Sequence, residues 1–341
     1  MSAREIHGIG APFGPAQPGA PENREFALIG KPTAKIDGLA KATGALQYAD
    51  DIQLPGMLHA KTLRSPHAHA RIRSIDVSAA LALPGVHAVI SGRDLPERYG
   101  VIPWTQDETA LAVDKVRFIG DPVAAVAAVD EDTANQALRL IKVEYEPLHA
   151  YFDPRESLVR HDPAIHEDKK DGNISKHVEL VFGDVEGELK ASDLVVEDDY
   201  TFHGTTHAAI EPHCAVATQA ADGLLTVWSS TQITHYVHRA LAKVLGLDPA
   251  RIRVVQPALG GAFGGKSDPF SLEFCVAKLA MITGRPVKML WTREEVFYAH
   301  RGRHPMQLHY RTGVTKDGRI RAVDARILID GGSYSSFGLV T

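Results

Sequence analysis

Cysteine is almost missing from this chain, and its scarcity removes several kinds of chemistry at once. Only Cys214 and Cys275 occur among 341 residues, so the chain alone holds no disulfide framework, no paired Cys-x-x-Cys zinc site and no four-cysteine iron–sulfur cluster. Any electron transfer served by this chain therefore needs centres on other subunits. Apolar runs of eighteen residues are also missing, and the N-terminus MSAREIHGIGAPFGPAQPGAPENREF has neither an apolar signal core nor a twin arginine. These absences argue against a membrane span and make the cytoplasm the expected address. Charge of one sign is not concentrated anywhere: 37 basic and 42 acidic residues are mixed along the chain, for a net charge of -5. No basic stripe offers itself to nucleic acid.

What is present is ordinary globular material, 44% apolar, enough to build more than one core. Residues 1–27 are rich in Gly and Pro without periodicity and read as a flexible arm. In residues 28–154, PVAAVAAVD (122–130) reads as a short buried strand. DTANQALRLI places Ala134, Ala137, Leu138 and Ile141 at helical spacing, and IKVEYEPL alternates as a half-buried strand. The polar, Pro-broken stretch 155–177 reads as a linker. Residues 178–341 open with strands in TFHGTTHAAIEPHCAVATQA and LLTVWSSTQ. HYVHRALAKVLGL then predicts a helix stopped by Gly246, and RIRVVQ a strand. PFSLEFCVAKLAMITG predicts a second helix with Pro269 in its first turn and Gly284 past its end. Thr292 and Glu295 have capping-box spacing, and KDG (316–318) lies between alternating segments as a β-hairpin turn. The whole is of mixed α/β, or α+β, class.

The stretch GGAFGGKS (260–267) fits G-x-x-x-x-G-K-S letter for letter, the spacing of a phosphate-cradling loop in nucleotide hydrolases. Its setting, between a strand and a helix, is also right. The chain after it weakens that reading, because it turns to an antiparallel hairpin where several further strand–helix units are required. What four glycines around Phe263 supply in any case is a row of backbone N–H groups unshielded by side chains, aimed at something anionic. That ligand is a nucleotide phosphate or, equally, the oxo groups and pyrophosphate of a bulky cofactor.

GGAFGGK, preceded by SSTQ (229–232) and EPH (211–213), resembles the molybdenum-binding large subunit of the xanthine dehydrogenase and aldehyde oxidase family. GKPTAKIDGLAKATGALQYADDIQLPGMLHAKTLRSPHAHARI (30–72) is similar to that family's opening hammerhead domain. The resemblance implies a hammerhead α/β domain over 28–154, then the first molybdopterin-binding domain over 178–341, incomplete at its C-terminal end. It implies molybdenum held by a pterin dithiolene, in the cytosine dinucleotide form, with no protein side chain as metal ligand. Gln232 matches the glutamine that hydrogen-bonds the metal's apical oxo group, which a neutral NH2 donor suits. Gly261, Ala262, Phe263, Gly264 and Gly265 match the cofactor-facing loop, with Phe263 also walling the substrate cavity.

Ser267 stands where purine-oxidising members carry a glutamate, which argues against xanthine as substrate and places Ser267 in the substrate pocket. IEPHCAVA, YAHRGRHPM and DGGSYSSFG look most like the large subunit of 4-hydroxybenzoyl-CoA reductase. That resemblance implies reductive removal of a phenolic hydroxyl from an acyl-CoA thioester, with Tyr334 as a candidate proton donor. Hydroxylation of another aromatic, N-heterocyclic or aldehyde substrate is the alternative, and an inactive assembly module is a further one. The implied partners are a FAD-binding medium subunit, an iron–sulfur small subunit and a C-terminal half of the large subunit. The family's glutamate base in a GxGE-like segment is not found in this sequence, so the chain is expected to be inactive alone and to expose an apolar docking face. Two constellations stay open beside this. His203, His207 and His213 with Glu211 have the residue types of a zinc site, but they lie across strand and turn residues and not on one helix face, which favours polar lining near a channel; His300, Arg301, Arg303 and His304 form a basic knot that reads as solvated surface or, alternatively, as a site for a pyrophosphate or coenzyme A phosphate.

Overall fold

The strand Pro122–Ala128 is buried at every position, and the reason is visible in its composition. Ala125 and Ala127 belong to one core cluster while Ala124 and Val126 belong to another. The strand is therefore covered on both faces, as a near-continuous apolar run demands. It lies near one edge of a mixed seven-stranded sheet in the order Ile252–Val255, Leu225–Ser229, Cys214–Gln219, Val287–Leu290, Leu58–Arg64, Pro122–Ala128, Val86–Ser91. Leu58–Arg64 pairs parallel with Val287–Leu290 and antiparallel with Pro122–Ala128. The sheet thus takes strands from both sides of residues 155–177.

The structure is a computed structural model that describes residues 26–299 and 301–338. Most of the arm expected over residues 1–27 lies outside the described residues, as does His300. The chain divides into two units, Met1–Leu46 and Gln47–Thr341. In the first, a helix Gly38–Thr43 ends at Gly44. The second carries everything discussed below.

The helix Ser271–Thr283 sits in the core, with apolar side chains buried around most of its circumference. Pro269 falls one residue before its N-cap, Phe270, and not in its first turn. Glu273 reaches back to accept from the Phe270 amide at 2.9 Å and from Ser229 Oγ at 2.8 Å, and burial pushes its carboxyl up to about 7. The amphipathic helix Thr234–Leu245 buries Val237, Ala240, Leu241 and Val244 and stops at Gly246. Thr292 and Glu295 form the reciprocal cap of Arg293–Tyr298. Residues 203–213, expected in part as strand, are irregular between Leu194–Phe202 and Cys214–Gln219.

A separate three-stranded antiparallel sheet joins Leu194–Phe202, Met306–Val314 and Ile320–Ile329. It carries exposed apolar side chains, among them Val195, Tyr200, Phe202, Val323 and Ile327. A short helix Pro154–Val159, capped by Asp153, runs into residues 155–177, where buried His166 donates through Nε2 to the carbonyl of Ser333 at 2.7 Å. Among the described residues no helix is long and apolar enough to cross a membrane.

Candidate functional site

The glycine turn is held at both ends and empty in the middle. Its first residue, Gly260, lies so close to residue 211 that a Cβ there would stand 2.6 Å from the Glu211 Cβ. A Cβ at Gly265 would stand 2.8 Å from the His207 ring. Between them Phe263 adopts φ 54, a left-handed conformation costing a non-glycine residue about 1–2 kcal/mol. Its side chain is 75% exposed, so no packing explains that strain. Backbone strain without a packing reason is characteristic of ligand-facing turns. Among the described residues, the amides of Gly261, Ala262 and Phe263 donate to no protein acceptor.

Gln232 sits directly behind this row. Its Oε1 accepts from the amides of Gly264 at 3.0 Å and Lys266 at 3.3 Å, and from Ser267 Oγ at 3.3 Å. Three donors on one side require the oxygen there, so the carboxamide NH2 is turned the other way, with no partner among the described residues. The chain brings Gln232 to this place through main-chain bonds: its amide donates to the Lys266 carbonyl at 2.8 Å, and Thr231 Oγ1 donates to the same oxygen at 3.2 Å. The fold thus gathers Gln232, residues 261–265 and Ser267 around one turn.

Lys266 decides against a phosphate-cradling loop. In such a loop the lysine reaches the bound phosphates. Here its side chain is 2% exposed and Nζ lies 2.6 Å from Glu211 Oε2. Burial pushes the ammonium below its usual range, and the Glu211 carboxylate opposes that shift. The cation is held beneath the turn and does not project through it.

Tyr334 lies in a different environment. It is buried, and its hydroxyl donates to Asp121 at 3.1 Å. Burial pushes the Asp121 carboxyl up to about 7, although the Arg117 amide and guanidinium favour its charged form. The neighbouring residues are held as firmly. Ser335 donates through both its amide and Oγ to Asp107, and Ser336 Oγ donates to Asp268. Of the basic knot, Arg301 is committed elsewhere, because it pairs with Asp268 and Glu108. Burial works against the Arg301 charge, but the two carboxylates outweigh it and raise its pKa. The composition of the knot was visible in the sequence; its two acidic partners, distant in the chain, were not.

No group of three His, Cys, Asp or Glu side chains able to hold a metal occurs among the described residues. His213 stacks on Trp291 with ring centroids 4.7 Å apart, and its Nε2 donates to the Gly265 carbonyl at 3.3 Å. His207 lies under Gly265. His207 and His213 pack behind the turn. Cys214 and Cys275 are buried, and burial pushes both thiols up to about 12, which leaves them inert at neutral pH.

A row of open amides beside a carboxamide NH2 is a donor surface for an anionic, oxo-bearing group. In agreement with that, the family described as molybdopterin cofactor-binding domain matches residues 165–341, and the family of the aldehyde oxidase and xanthine dehydrogenase a/b hammerhead domain matches residues 43–149. The chain belongs to the xanthine dehydrogenase and aldehyde oxidase family. Among its relatives, the nicotinate dehydrogenase large molybdopterin subunit of Eubacterium barkeri is 41% identical over 92% of this chain and 73% of the relative. The xanthine dehydrogenase molybdenum-binding subunit of Escherichia coli O157:H7 is 34% identical over 89% of this chain and 41% of its own length. Among solved structures, aldehyde oxidoreductase from Desulfovibrio gigas superposes with a TM-score of 0.80 at 30% identity, covering 89% of this chain and 35% of that one. The chain spans well under half the length of the last two. It is a molybdopterin-binding subunit, or part of one, of a molybdenum-dependent oxidoreductase family.

Proposed function

We propose that this family member holds the pterin-borne metal through Gln232 and the turn at 260–265, and that the reaction it serves is oxidation of an aromatic N-heterocycle. The observation that carries the cofactor reading is the outward NH2 of Gln232 beside the open amides of Gly261, Ala262 and Phe263. When bound, the cofactor, expected in the cytosine dinucleotide form, supplies two-electron redox chemistry with oxygen taken from water. In the overall reaction a ring C–H and one water become C–OH, two protons and two electrons, and iron–sulfur and FAD centres on partner subunits would take up the electrons. The residues of this chain have simpler tasks. Gln232 would donate a hydrogen bond without adding charge, the bare amides would steady anionic groups, and exposed Phe263 is available to wall the substrate side of the cofactor.

The similarity to a nicotinate dehydrogenase subunit over 92% of the chain supports the N-heterocycle as substrate. Ser267 agrees with a non-purine ligand, since its hydroxyl is turned to Gln232 and no carboxylate stands at that position to grip a purine. The likeness to 4-hydroxybenzoyl-CoA reductase offers reductive dehydroxylation of an acyl-CoA thioester as a second reading. The Tyr334 proton, which that reading uses, is donated to Asp121, so we place it second. The exposed apolar side chains of the sheet Leu194–Phe202, Met306–Val314, Ile320–Ile329 suit docking of the remainder of a large subunit.

The test is co-expression of the chain with candidate large-subunit, FAD-binding and iron–sulfur partners. Molybdenum at about one per complex, with reduction of an artificial acceptor by nicotinate, is the expected result. Turnover with 4-hydroxybenzoyl-CoA and a reductant, without nicotinate oxidation, would move the second reading to first. A stable complex without molybdenum would leave the chain an assembly module.

A further inference from the structure

We propose that Lys266 is the positioning residue of this site: paired with Glu211 beneath the turn, it fixes both the row of open amides and the orientation of Gln232. This rests on the cofactor reading above and assigns the task to residues that touch neither cofactor nor substrate.

Lys266 is tied to both halves of the site. Its main chain accepts from the Gln232 amide at 2.8 Å and from Thr231 Oγ1 at 3.2 Å, and donates to Gln232 Oε1 at 3.3 Å. Its side chain runs the other way, to Glu211 Oε2 at 2.6 Å. The same carboxylate oxygen accepts from the Gly260 amide at 3.0 Å, while the Glu211 amide donates to the Gly260 carbonyl at 3.2 Å. Both ends of the turn, 260 and 266, are therefore pinned through one ion pair. With the ends fixed, the amides of Gly261, Ala262 and Phe263 are held open and cannot relax onto a carbonyl of the protein.

Stability does not account for this pair. Buried ion pairs typically do no better than apolar side chains of the same volume, because desolvation offsets the attraction. Here the compensation is incomplete as well, since Glu211 Oε1 is buried without a hydrogen-bond partner among the described residues. Two apolar side chains would fill the same space, but they would offer Gly260 no acceptor. What the pair adds is direction.

The experiment uses hydrogen–deuterium exchange on the full chain and molybdenum analysis of the co-expressed complex. Glu211→Leu/Lys266→Met removes both charges together, so that no unpaired charge is left buried. The double variant is expected to melt near the wild type. Its Gly260 and Gly264 amides should exchange at least tenfold faster, the helix Ser271–Thr283 should exchange as before, and molybdenum content should fall about tenfold. Wild-type exchange at both amides, or full molybdenum loading, overturns the proposal, because a pair serving stability alone loses nothing once melting is restored. If the double variant does not fold, Glu211→Gln keeps the shape and weakens the acceptor. Gly260 exchange at least threefold faster is then expected, and unchanged exchange overturns the proposal. A wild-type complex without molybdenum would sink the cofactor reading, while the exchange comparison would still decide whether the pair positions the turn.

Discussion

Two glycine-bearing segments of this chain, GGAFGGKS (260–267) and DGGSYSSFG (330–338), look alike in composition and are opposite in structure. In the second, every residue from 333 to 336 is held by a side chain from elsewhere: His166 on the Ser333 carbonyl, Asp121 on the Tyr334 hydroxyl, Asp107 on Ser335 and Asp268 on Ser336. In the first, the ends are held and the middle is bare. Each segment carries one non-glycine residue at positive φ, Phe263 at 54 and Ser336 at 40, so strain does not separate them: unused hydrogen-bonding capacity marks a ligand surface, whereas saturated capacity in a buried segment marks scaffold. The two are joined at Asp268, which follows Ser267 in the chain and accepts from both Arg301 and Ser336.

The largest expected effect comes from breaking the scaffold. Arg301→Met leaves buried Asp268 and half-buried Glu108 without their cation, and denaturant unfolding should show a loss of about 3 kcal/mol. Breaking the site does something different. Gln232→Leu removes the acceptor of Gly264, Lys266 and Ser267 together with the outward NH2. Molybdenum content of the assembled complex should fall at least tenfold, with a stability change of only about 1 kcal/mol. Tyr334→Phe sharpens the contrast: Asp121 keeps the Arg117 amide, so unfolding should register a loss of about 1 kcal/mol or less. Molybdenum content should stay within twofold of the wild type, and a tenfold fall would move Tyr334 from scaffold to site.

The last expected effect is a slope with pH. Burial raises Asp121 and Glu273 to about 7, above the ordinary carboxylate value of about 4. The folded chain therefore keeps these protons at pH values where the unfolded chain has lost them. Their stabilising contribution is full below about pH 4 and is lost as pH rises through about 7. Thermal melts should show stability declining as pH rises from 5 to 7, by at most about 1.4 kcal/mol per unit for each group, and Glu273→Gln should flatten its share.

Local pattern made much of this protein legible. The buried strand Pro122–Ala128, the helices Thr234–Leu245 and Ser271–Thr283, the Thr292 cap and the final hairpin all follow from periodicity, glycine stops and capping spacing. The glycine run as an anion-facing turn was legible in the same way, whereas Gln232 was reached only through the family resemblance that SSTQ carries. The pairing of Lys266 with Glu211, 55 residues earlier, was not legible, nor was that of Arg301 with Glu108, 193 residues earlier. The sequence by itself determined which segments become strand, helix and turn, since those choices depend on neighbours a few residues apart. Only the tertiary structure decided that Lys266 turns inward and that Tyr334 belongs to Asp121. A buried charge or hydroxyl takes whatever partner the fold brings within hydrogen-bonding distance, and distance in space is not written in the spacing of the letters.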